Sequence, residues 1–316
     1  MKTVKRAYKI DQCALYKCGS KTRLASVLKV HPDVLKRLPI SYHSFPIDKK
    51  NDKKFRLITA PDWALKRMQS RILQLLQNVE RPEWIISGTK GKSYIDNGKI
   101  HCQNDYVLTL DIAQFYDNCR REAAYRFYRD TMKTSPDVAG ILADITTHSN
   151  RIPTGCPTSQ LIAYYAYENM FEEIHCYALQ HNLLFTLYVD DMTFSSATAF
   201  NYKTIVADIN DILNRHGHRL KLEKVKYYTK KKTKLVTGVA ILPDHRLAVP
   251  NALQEKIYDG FIGLTSHKKG ETLSLDEMKA YQRLMGRINS ARGIAPDRFP
   301  EMVRIANDIY RKATHI

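Results

Sequence analysis

The stretch that most constrains the fold is 183–196 (LLFTLYVDDMTFSS), in which two short β-prone runs flank a pair of aspartates. Asp190 and Asp191 stand between the runs, so the pattern predicts a tight hairpin with two carboxylates at its tip. Neighbouring carboxylates resist ionising together, and Mg²⁺ would remove that cost because it prefers oxygen ligands. Taken alone, however, an Asp-Asp pair is more often an ordinary polar turn. The hairpin therefore needs support from elsewhere in the chain.

The charge of the whole chain indicates a polyanionic partner. Its 316 residues include 50 Lys and Arg against 32 Asp and Glu, a formal net charge of +18. Nucleic acid fits this excess better than an anionic membrane surface does. No apolar run approaches the roughly 18 residues of a spanning helix, and the basic start lacks the apolar core of a signal peptide. A cytoplasmic location, with no membrane partner, is therefore expected.

The cysteines and glycines match none of the short motifs that would indicate a different site. The six cysteines form no CxxC pair, so we expect reduced packing thiols rather than a zinc ribbon or a disulfide framework. Gly88 and Gly91 lie in a glycine- and lysine-rich stretch, 88–101, that is predicted to be a loop. Its spacing differs from GxxxxGK[ST], which argues against a Walker site.

Apolar periodicity predicts alternating helices and strands. Two short helices within 20–39 are more typical of a small helical appendage than of a helix-turn-helix. Strands are predicted at 41–47, 55–61 (after a polar turn at 48–54), 106–110 and, with a glycine kink, 236–241. Further helices are predicted at 62–78, 121–131, 136–148, 161–182, 201–217, 252–263, 275–291 and 300–313.

A third carboxylate, Asp111, follows the predicted strand 106–110 and precedes Asp190 by 79 residues. Strand ends are where α/β architectures place ligands, so we expect Asp111 to join Asp190 and Asp191. Three carboxylates suit two magnesium ions about 4 Å apart, which activate a hydroxyl and stabilise leaving pyrophosphate in an in-line displacement. Positioning and charge neutralisation would then carry the rate.

Taken together, these motifs resemble those of reverse transcriptases. Residues 188–191 (YVDD) are similar to the family's YxDD box, and residues 110–116 (LDIAQFY) resemble its preceding aspartate motif. Residues 153–159 (PTGCPTS) resemble the PQGxPxS loop, and residues 56–69 resemble the fingers motif. Order and spacing agree from about residue 53 to residue 241. Two finer elements, NGKIH at 97–101 and VTG at 236–238, are similar to the NAxxH and VTG elements of bacterial retron enzymes.

The resemblance implies a role for each matching residue. Asp111, Asp190 and Asp191 would hold both metal ions, helped by the main-chain carbonyl of Ile112. The ring of Tyr116 would exclude a ribonucleotide 2′-hydroxyl. The residues implied to line the incoming deoxynucleoside triphosphate and the template are Arg56, Thr154, Gly155 and, by a looser match, Lys224.

A second predicted surface binds RNA. The run 221–234 holds seven lysines against one glutamate, interleaved with two tyrosines, which is typical of phosphate contact and base stacking. A solvated charge run is the alternative. The predicted RNA-binding residues are Asn97, His101, Lys230, Lys231, Lys232, Val236, Thr237, Gly238, Lys268, Lys269, Arg283, Arg287 and Arg292.

Three positions depart from the family pattern. Thr154 replaces the usual glutamine, Gln160 replaces a proline, and Gly98 replaces the alanine of NAxxH. Because threonine is shorter than glutamine, we expect altered fidelity or nucleotide affinity rather than lost activity.

The resemblance implies an α+β right-hand polymerase fold. The expected domains are an N-terminal helical appendage (1–39), fingers (40–105 and 119–158), a palm with an antiparallel sheet (106–118 and 159–245) and a helical thumb (250–316). The implied activity copies part of a cognate structured non-coding RNA into single-stranded DNA from an internal guanosine 2′-hydroxyl. The product would be a branched RNA–DNA hybrid, used with an accessory effector protein in anti-phage defence. Alternatives are another defence-associated or group II intron-like enzyme with different priming, and an RNA-binding scaffold that restrains an effector.

Overall fold

The computed structural model describes residues 7–48, 55–266 and 272–314. Its α-helices are α1 (Lys21–Leu28), α2 (Pro32–Lys36), α3 (Trp63–Leu76), α4 (Tyr94–His101), α5 (Phe115–Asn118), α6 (Arg121–Arg126), α7 (Pro136–Thr146), α8 (Ser159–Ala166), α9 (Glu168–Gln180), α10 (Tyr202–Arg215), α11 (Asn251–Thr265), α12 (Leu275–Ile294) and α13 (Pro300–Thr314). Its strands are β1 (Tyr42–Asp48), β2 (Phe55–Pro61), β3 (Tyr106–Asp111), β4 (Leu184–Tyr188), β5 (Asp191–Ser196), β6 (Lys226–Tyr228), β7 (Lys234–Val236), β8 (Val239–Ile241) and β9 (Leu247–Ala248).

Three small sheets organise the strands. β1 and β2 form an antiparallel pair, in which Tyr42 lies opposite Pro61. A four-stranded sheet has the order β4–β5–β3–β6, so β3 lies in its interior. The remaining strands form a sheet in which β8 pairs antiparallel with both β7 and β9. The interior position of β3 explains its nearly continuous apolar sequence, since Val107, Leu108 and Leu110 are all buried.

The chain divides into two compact units, each built from separated segments. Unit 1 comprises Met1–Lys92, Thr109–Phe194 and Asn201–Lys226, and unit 2 comprises Ser93–Leu108, Ser195–Phe200 and Tyr227–Ile316.

The core of unit 1 is built from amphipathic helices. Along α3, Leu65, Met68 and Ile72 are buried at helical spacing, and α10 buries its own stripe, which includes Ile205 and Ile209. Such stripes hold a helix in place because burying each large apolar side chain contributes about 1.5–3 kcal/mol. The predicted helices at 62–78 and 201–217 are confirmed.

Unit 2 is organised around the last three helices. Ile257 and Leu264 of α11 pack with Leu284 and Ile288 of α12, and Ala306 of α13 joins the same core. The serine before α12, Ser274, accepts a hydrogen bond from the Glu277 N–H, and Glu277 in turn accepts from the Ser274 N–H. This capping box fixes where α12 begins, and the three predicted C-terminal helices are confirmed.

Four predicted elements differ from the structure. The stretch 88–101 is not all loop: its last part is α4, whose start is fixed by a capping box between Ser93 and Asp96. The predicted helix 161–182 is broken at Tyr167, where φ −122° and ψ 23° interrupt the helical backbone between α8 and α9. The hydroxyl of Tyr167 accepts from the Arg120 N–H and donates to the Asn118 carbonyl, which stabilises the break.

The predicted single strand 236–241 is a hairpin. β7 ends at Val236 and β8 begins at Val239, and the two residues between them, Thr237 and Gly238, have φ of 44° and 88°. A two-residue turn with both φ positive is the usual tight connection of a β-hairpin. The predicted single strand with a glycine kink is therefore wrong, because the chain reverses at the glycine instead of bending. The predicted helix 121–131 also changes, since its second half, Phe127–Thr131, is a π-helical turn.

All six cysteines are free thiols and four of them are buried, as expected for packing residues. Of the predicted polar turn 48–54, residues 49–54 lie outside the described residues. None of the helices in the described residues is both long and apolar enough to cross a membrane.

Candidate active site

The predicted hairpin is confirmed, and it carries the two aspartates at its tip. β4 ends at Tyr188, Val189 and Asp190 form the turn, and Asp191 opens β5. The flanks are buried, as shown by Leu187 and Met192, whereas the tip is half-buried. The hairpin therefore projects its carboxylates from a rigid apolar base.

Backbone contacts bring Asp111 to this tip. The amide of Ile112 donates to the carbonyl of Asp190 at 3.2 Å, so the chain just after β3 lies against the turn. On its other side, the amide of Lys221 donates to the Asp111 carbonyl at 2.8 Å, and Ile112 forms a β-bridge with Leu220. Asp111 is thus fixed between the hairpin and the segment that leads into β6.

The three carboxylates repel one another. Burial, and next the negative charges of Asp190 and Asp111, raise the pKa of Asp191 to about 7. An ordinary aspartate has a pKa near 3.9, so burial and the neighbouring carboxylates together disfavour the ionised form of Asp191. A cation is the natural complement of such a site.

Lys224 supplies part of the missing positive charge. Its Nζ lies 2.5 Å from Oδ2 of Asp111. Partial burial lowers the pKa of this ammonium, but the hydrogen bond to Asp111 and the charges of the three carboxylates outweigh it, so that the net pKa is raised. The looser sequence match at Lys224 therefore located a residue that touches the aspartate cluster.

The donor chemistry of the site fits a hard divalent cation. In the part of the chain that the structure describes, no group of three or more His, Cys, Asp or Glu side chains encloses a position for a metal ion. Asp111 instead contacts Lys224. The carboxylates of Asp111, Asp190 and Asp191 nevertheless offer only oxygen donors, which magnesium and similar ions prefer, and their mutual repulsion is the cost that such an ion would remove.

Tyr116 lies on α5, five residues after Asp111, beside a buried aromatic cluster. Phe115 is buried and packs edge-on against Phe171, with ring centroids 6.0 Å apart. The half-buried ring of Tyr116 lies 5.4 Å from that of Phe115. The position of Tyr116 is therefore set by packing of its neighbour into the core.

The 153–158 loop is attached to β2. The amide of Thr59 donates to the carbonyl of Thr154 at 2.8 Å, and the hydroxyl of Thr154 donates to the Leu57 carbonyl at 2.9 Å. Gly155 has φ 104°, and a Cβ at this position would lie 2.6 Å from Cγ2 of Ile58. Only glycine fits so close to β2 at position 155. Thr154, which departs from the family pattern, anchors the loop to β2 through its hydroxyl.

Arg56 belongs to the same strand as Leu57 and Ile58. Its backbone lies opposite Ile47 in the β1–β2 pair, and its side chain lies outside the described residues. The loop at Thr154 is bonded to the strand that carries Arg56, so the structure brings the backbones of these two predicted nucleotide-binding positions together.

The residues of the two retron-like elements lie inside unit 2. Asn97 and Val236 are fully buried, and Nδ2 of Asn97 donates to the hydroxyl of Thr237 at 3.2 Å. His101 is also fully buried, and its Nδ1 shares a 2.6 Å hydrogen bond with Oγ of Ser195. We refer to the buried residues Asn97, His101 and Ser195, together with half-buried Thr237, as the buried polar cluster. Asn97, His101 and Val236 were predicted to bind RNA, and the structure places their side chains in internal contacts instead, whereas Gly238, in the β7–β8 turn, is exposed.

The departure at Gly98 is explained by the same packing. A Cβ on Gly98 would lie 3.1 Å from Cβ of Val239, closer than most side chains pack. The absence of a side chain lets α4 approach β8.

The predicted basic residues occupy different settings. Lys230, Lys231 and Lys232 are exposed, and Nζ of Lys230 lies 3.3 Å from Asp105. Arg283 and Arg292 are also exposed, whereas half-buried Arg287 donates to the Lys256 carbonyl at 2.8 Å and braces α12 against α11. Lys268 and Lys269 lie outside the described residues.

Sequence reasoning missed two residues beside the site. Ser87 accepts a hydrogen bond from the Val189 N–H at the hairpin tip. His218 is buried against Phe115, with ring centroids 5.3 Å apart, and burial lowers its pKa to about 4. Neither residue belongs to a recognisable motif, so no sequence signal pointed to them.

Comparison with known families defines the class of this site. Residues 47–241 match the family model described as reverse transcriptase (RNA-dependent DNA polymerase). Because the match covers more than half of the chain, the protein belongs to the reverse transcriptase family, and the family predicted from its residues is confirmed.

The curated relatives are retron enzymes. The chain is 27% identical over 164 residues to "Retron Se72 reverse transcriptase" of Salmonella heidelberg (strain 579083-10), which covers 52% of this chain and 43% of that protein. It is 22% identical over 256 residues to "Retron Ec86 reverse transcriptase" of Escherichia coli, covering 77% of this chain and 79% of that protein. The matched region spans about half the length of the Se72 protein and of the similar Ec48 protein. The predicted resemblance to retron reverse transcriptases is confirmed.

A solved structure supports the fold class. A foamy viral protease–reverse transcriptase aligns with a TM-score of 0.50 and 16% identity, covering 99% of this chain and 45% of that chain. At this identity the likeness shows the fold alone. The predicted α+β right-hand polymerase fold is confirmed.

Proposed function

We propose that the protein is an RNA-directed DNA polymerase of retron type. The observation that carries this proposal is the cluster of Asp111, Asp190 and Asp191 beside Lys224, in a chain of the reverse transcriptase family. Three carboxylates with excess negative charge, contributed by a hairpin tip and the end of an adjacent strand, suit metal-assisted nucleotidyl transfer. The chemistry requires that the acids be held in fixed positions, which the backbone contacts of Ile112 and Lys221 support.

Enzymes of this family use divalent metal ions, and we assign two Mg²⁺ to the three aspartates and the Ile112 carbonyl. When bound, such ions polarise the phosphate and activate the attacking hydroxyl. Lys224, which pairs with Asp111, would neutralise charge as pyrophosphate leaves. Tyr116 would contact the sugar of the incoming deoxynucleoside triphosphate. The strand carrying Arg56, and the 154–155 loop bonded to it, would contact the triphosphate.

The domain roles follow from the same assignment. The appendage is 1–39, the fingers are 40–105 and 119–158, the palm is 106–118 and 159–245, and the thumb is 250–316. The exposed cations Lys231, Arg283 and Arg292 are the side chains we assign to RNA phosphates. Asn97, His101 and Val236, being buried, would act by shaping the 237–238 turn rather than by touching RNA.

The retron relatives suggest the substrate. We propose that the enzyme copies part of a cognate structured RNA into single-stranded DNA, primed from an internal guanosine 2′-hydroxyl, so that a branched RNA–DNA hybrid results. An accessory effector and a role in anti-phage defence in the cytoplasm complete the proposal. Sequencing the nucleic acid that copurifies with the protein tests this part, since a linear product without a branched guanosine would contradict the priming mode.

Replacing both hairpin aspartates tests the activity. The double variant Asp190→Ala, Asp191→Ala should lose DNA synthesis on a primed RNA template while its RNA affinity is retained. A matched control, Glu122→Ala with Asp130→Ala, removes two exposed acidic side chains from helical segments of unit 1, away from the hairpin, and should keep synthesis. DNA synthesis by the hairpin variant would overturn the assignment. If the hairpin variant kept anti-phage defence in cells without DNA synthesis, the result would instead favour an RNA-binding scaffold.

A further inference from the structure

We propose that Ser87 is a positioning residue that holds the catalytic hairpin tip in its active conformation. This inference deepens the proposed function and rests on it. Ser87 lies in a segment, 84–89, that has no recognised motif, and its hydroxyl accepts a hydrogen bond from the Val189 N–H at 2.8 Å. Val189 directly precedes Asp190 and Asp191.

The backbone of Val189 needs an external restraint. Its φ is 61°, in the left-handed region that β-branched residues rarely adopt. Residues in this region are strained, and they persist only where surrounding structure fixes them. If Val189 relaxed to an ordinary φ, the turn would change and the carboxylate of Asp190 would move. The restraint on Val189 is therefore a restraint on the metal-binding geometry.

The hydroxyl of Ser87 is the restraint at the amide of Val189. Ser87 is buried, with 9% of its surface exposed. Without this acceptor, the amide of half-buried Val189 would lose its hydrogen bond to the protein. The bond thus favours the one backbone geometry in which the Val189 N–H points at segment 84–89.

Segment 84–89 is itself fixed to the base of the hairpin. The amide of Leu187 donates to the Trp84 carbonyl at 2.9 Å, and the amide of Ile86 donates to the Leu187 carbonyl at 3.0 Å. These bonds form a short parallel pairing alongside β4. Ser87 follows this pairing directly, so its hydroxyl is held at a fixed distance from the tip.

Arg81 fixes the C-terminal end of segment 84–89. Its Nη2 donates to the Gly88 carbonyl at 2.7 Å. Gly88 has φ 67°, a left-handed backbone that glycine adopts without strain. The segment is therefore anchored on both sides of Ser87.

A cavity of about 240 Å³ adjoins the contact between Ser87 and Val189 and leaves space for a slightly larger side chain at position 87. Its lining includes Ser87, Val189, Arg81 and Gln160. Because this space adjoins Ser87, we expect Ser87→Thr to keep a hydroxyl without overpacking. Ser87→Ala removes the hydroxyl and changes nothing else.

The experiment compares steady-state primer extension on an RNA template by wild type, Ser87→Ala and Ser87→Thr. We expect Ser87→Ala to lower kcat about tenfold with KM for the deoxynucleotide nearly unchanged, which corresponds to about 1.4 kcal/mol. Ser87→Thr should restore kcat to within about twofold of wild type. The matched control is Thr89→Val, because the Thr89 hydroxyl donates to the Ile85 carbonyl in the same segment and does not touch the hairpin. Thr89→Val should keep the wild-type kcat.

A double-mutant cycle separates positioning from a general loss of stability. Glycine adopts positive φ without strain, so in a Val189→Gly background the Ser87→Ala substitution should lower kcat by much less than tenfold. An equal loss in both backgrounds, failure of Ser87→Thr to restore kcat, or an equal loss in Thr89→Val would overturn the proposal. Absence of DNA synthesis by the wild-type protein would instead count against the proposed function, so the two failures are distinguishable.

Discussion

The aspartate cluster and the buried polar cluster were both reached through short sequence motifs, yet they solve opposite physical problems. In the aspartate cluster, the pKa of Asp191 rises to about 7 because burial and two nearby carboxylates oppose its charge. In the buried polar cluster, Asn97 and His101 are fully buried with hydrogen-bonded partners. The first region holds negative charge that the protein neutralises only in part, through Lys224, and the second holds polar atoms that the protein satisfies with hydrogen bonds.

This difference teaches how to assign a motif to chemistry or to packing. A satisfied buried polar network rigidifies a core and specifies one arrangement. Like charges that are held close together destabilise the folded protein, so their presence indicates a site where a ligand of opposite charge binds. Motif similarity alone did not separate the two cases.

The largest expected effect comes from Asp191→Asn. Loss of a metal ligand should reduce DNA synthesis by about a thousandfold. In the presence of a metal chelator, however, the same variant should melt at a higher temperature than wild type, because the repulsion among the carboxylates is relieved. Each kcal/mol gained in the free energy of unfolding should raise the melting temperature by roughly 2–4 °C.

The matched control for Asp191→Asn is Asp117→Asn, a half-exposed aspartate paired with Arg151 at 3.3 Å. This variant should show neither the activity loss nor the rise in melting temperature. A lower melting temperature for Asp191→Asn in chelator would remove the contrast between the two regions.

In the buried polar cluster, we expect the effect to fall on the free energy of unfolding rather than on DNA synthesis. Burial lowers the pKa of His101 to about 3, whereas an unfolded histidine titrates near 6.5. Below about pH 6.5 the unfolded state therefore binds a proton that the folded state does not, so stability falls as the pH falls. Between pH 7 and 5.5 we expect a loss of about 1 kcal/mol from this group.

The His101→Gln variant should lack this part of the pH dependence, measured by urea unfolding at several pH values. At pH 8, where the histidine is neutral in both states, the variant reports only the change in packing and hydrogen bonding. An unchanged slope between pH 7 and 5.5 would contradict a neutral buried His101.

A smaller effect is expected at Lys224. Lys224→Met removes the cation that lies 2.5 Å from Asp111, and we expect kcat to fall about tenfold. Lys221→Met is the control, since Lys221 lies three residues away and pairs with Glu223 at 3.7 Å instead. Comparable losses in both variants would show that Lys224 acts only through the general positive charge of the segment.

The smallest effect is expected at Thr154. Thr154→Gln restores the residue usual in the family but removes the hydroxyl that donates to Leu57, so we expect KM or the error rate to change about threefold. Thr154→Ser keeps the hydroxyl and should resemble wild type. If Thr154→Gln alters neither quantity, the hypothesis that this departure tunes nucleotide handling is wrong.

Much of the fold and the centre of the site could be predicted from the sequence, because periodicity and motif spacing report local structure. The hairpin, the strand before Asp111 and the amphipathic helices all follow from such patterns. The helix break at Tyr167 could not be predicted, since it depends on contacts with Asn118 and Arg120 far away in the chain. Ser87 was missed for the same reason: its role arises from a pairing with the hairpin 102 residues later.

The partners of α4 have a consequence for biosynthesis. Asn97 bonds to Thr237, 140 residues further along the chain, and Tyr94 bonds to Ser290, 196 residues further along. A ribosome adding about 5–20 residues per second needs roughly 10–40 s to make the second partner. An isolated eight-residue helix is marginal in water, so during that time α4 has no stable structure. Nascent chains of this protein should therefore present 94–101 to chaperones and proteases until Ser290 has been synthesised, whereas the two strands of the β4–β5 hairpin emerge together and can pair within microseconds.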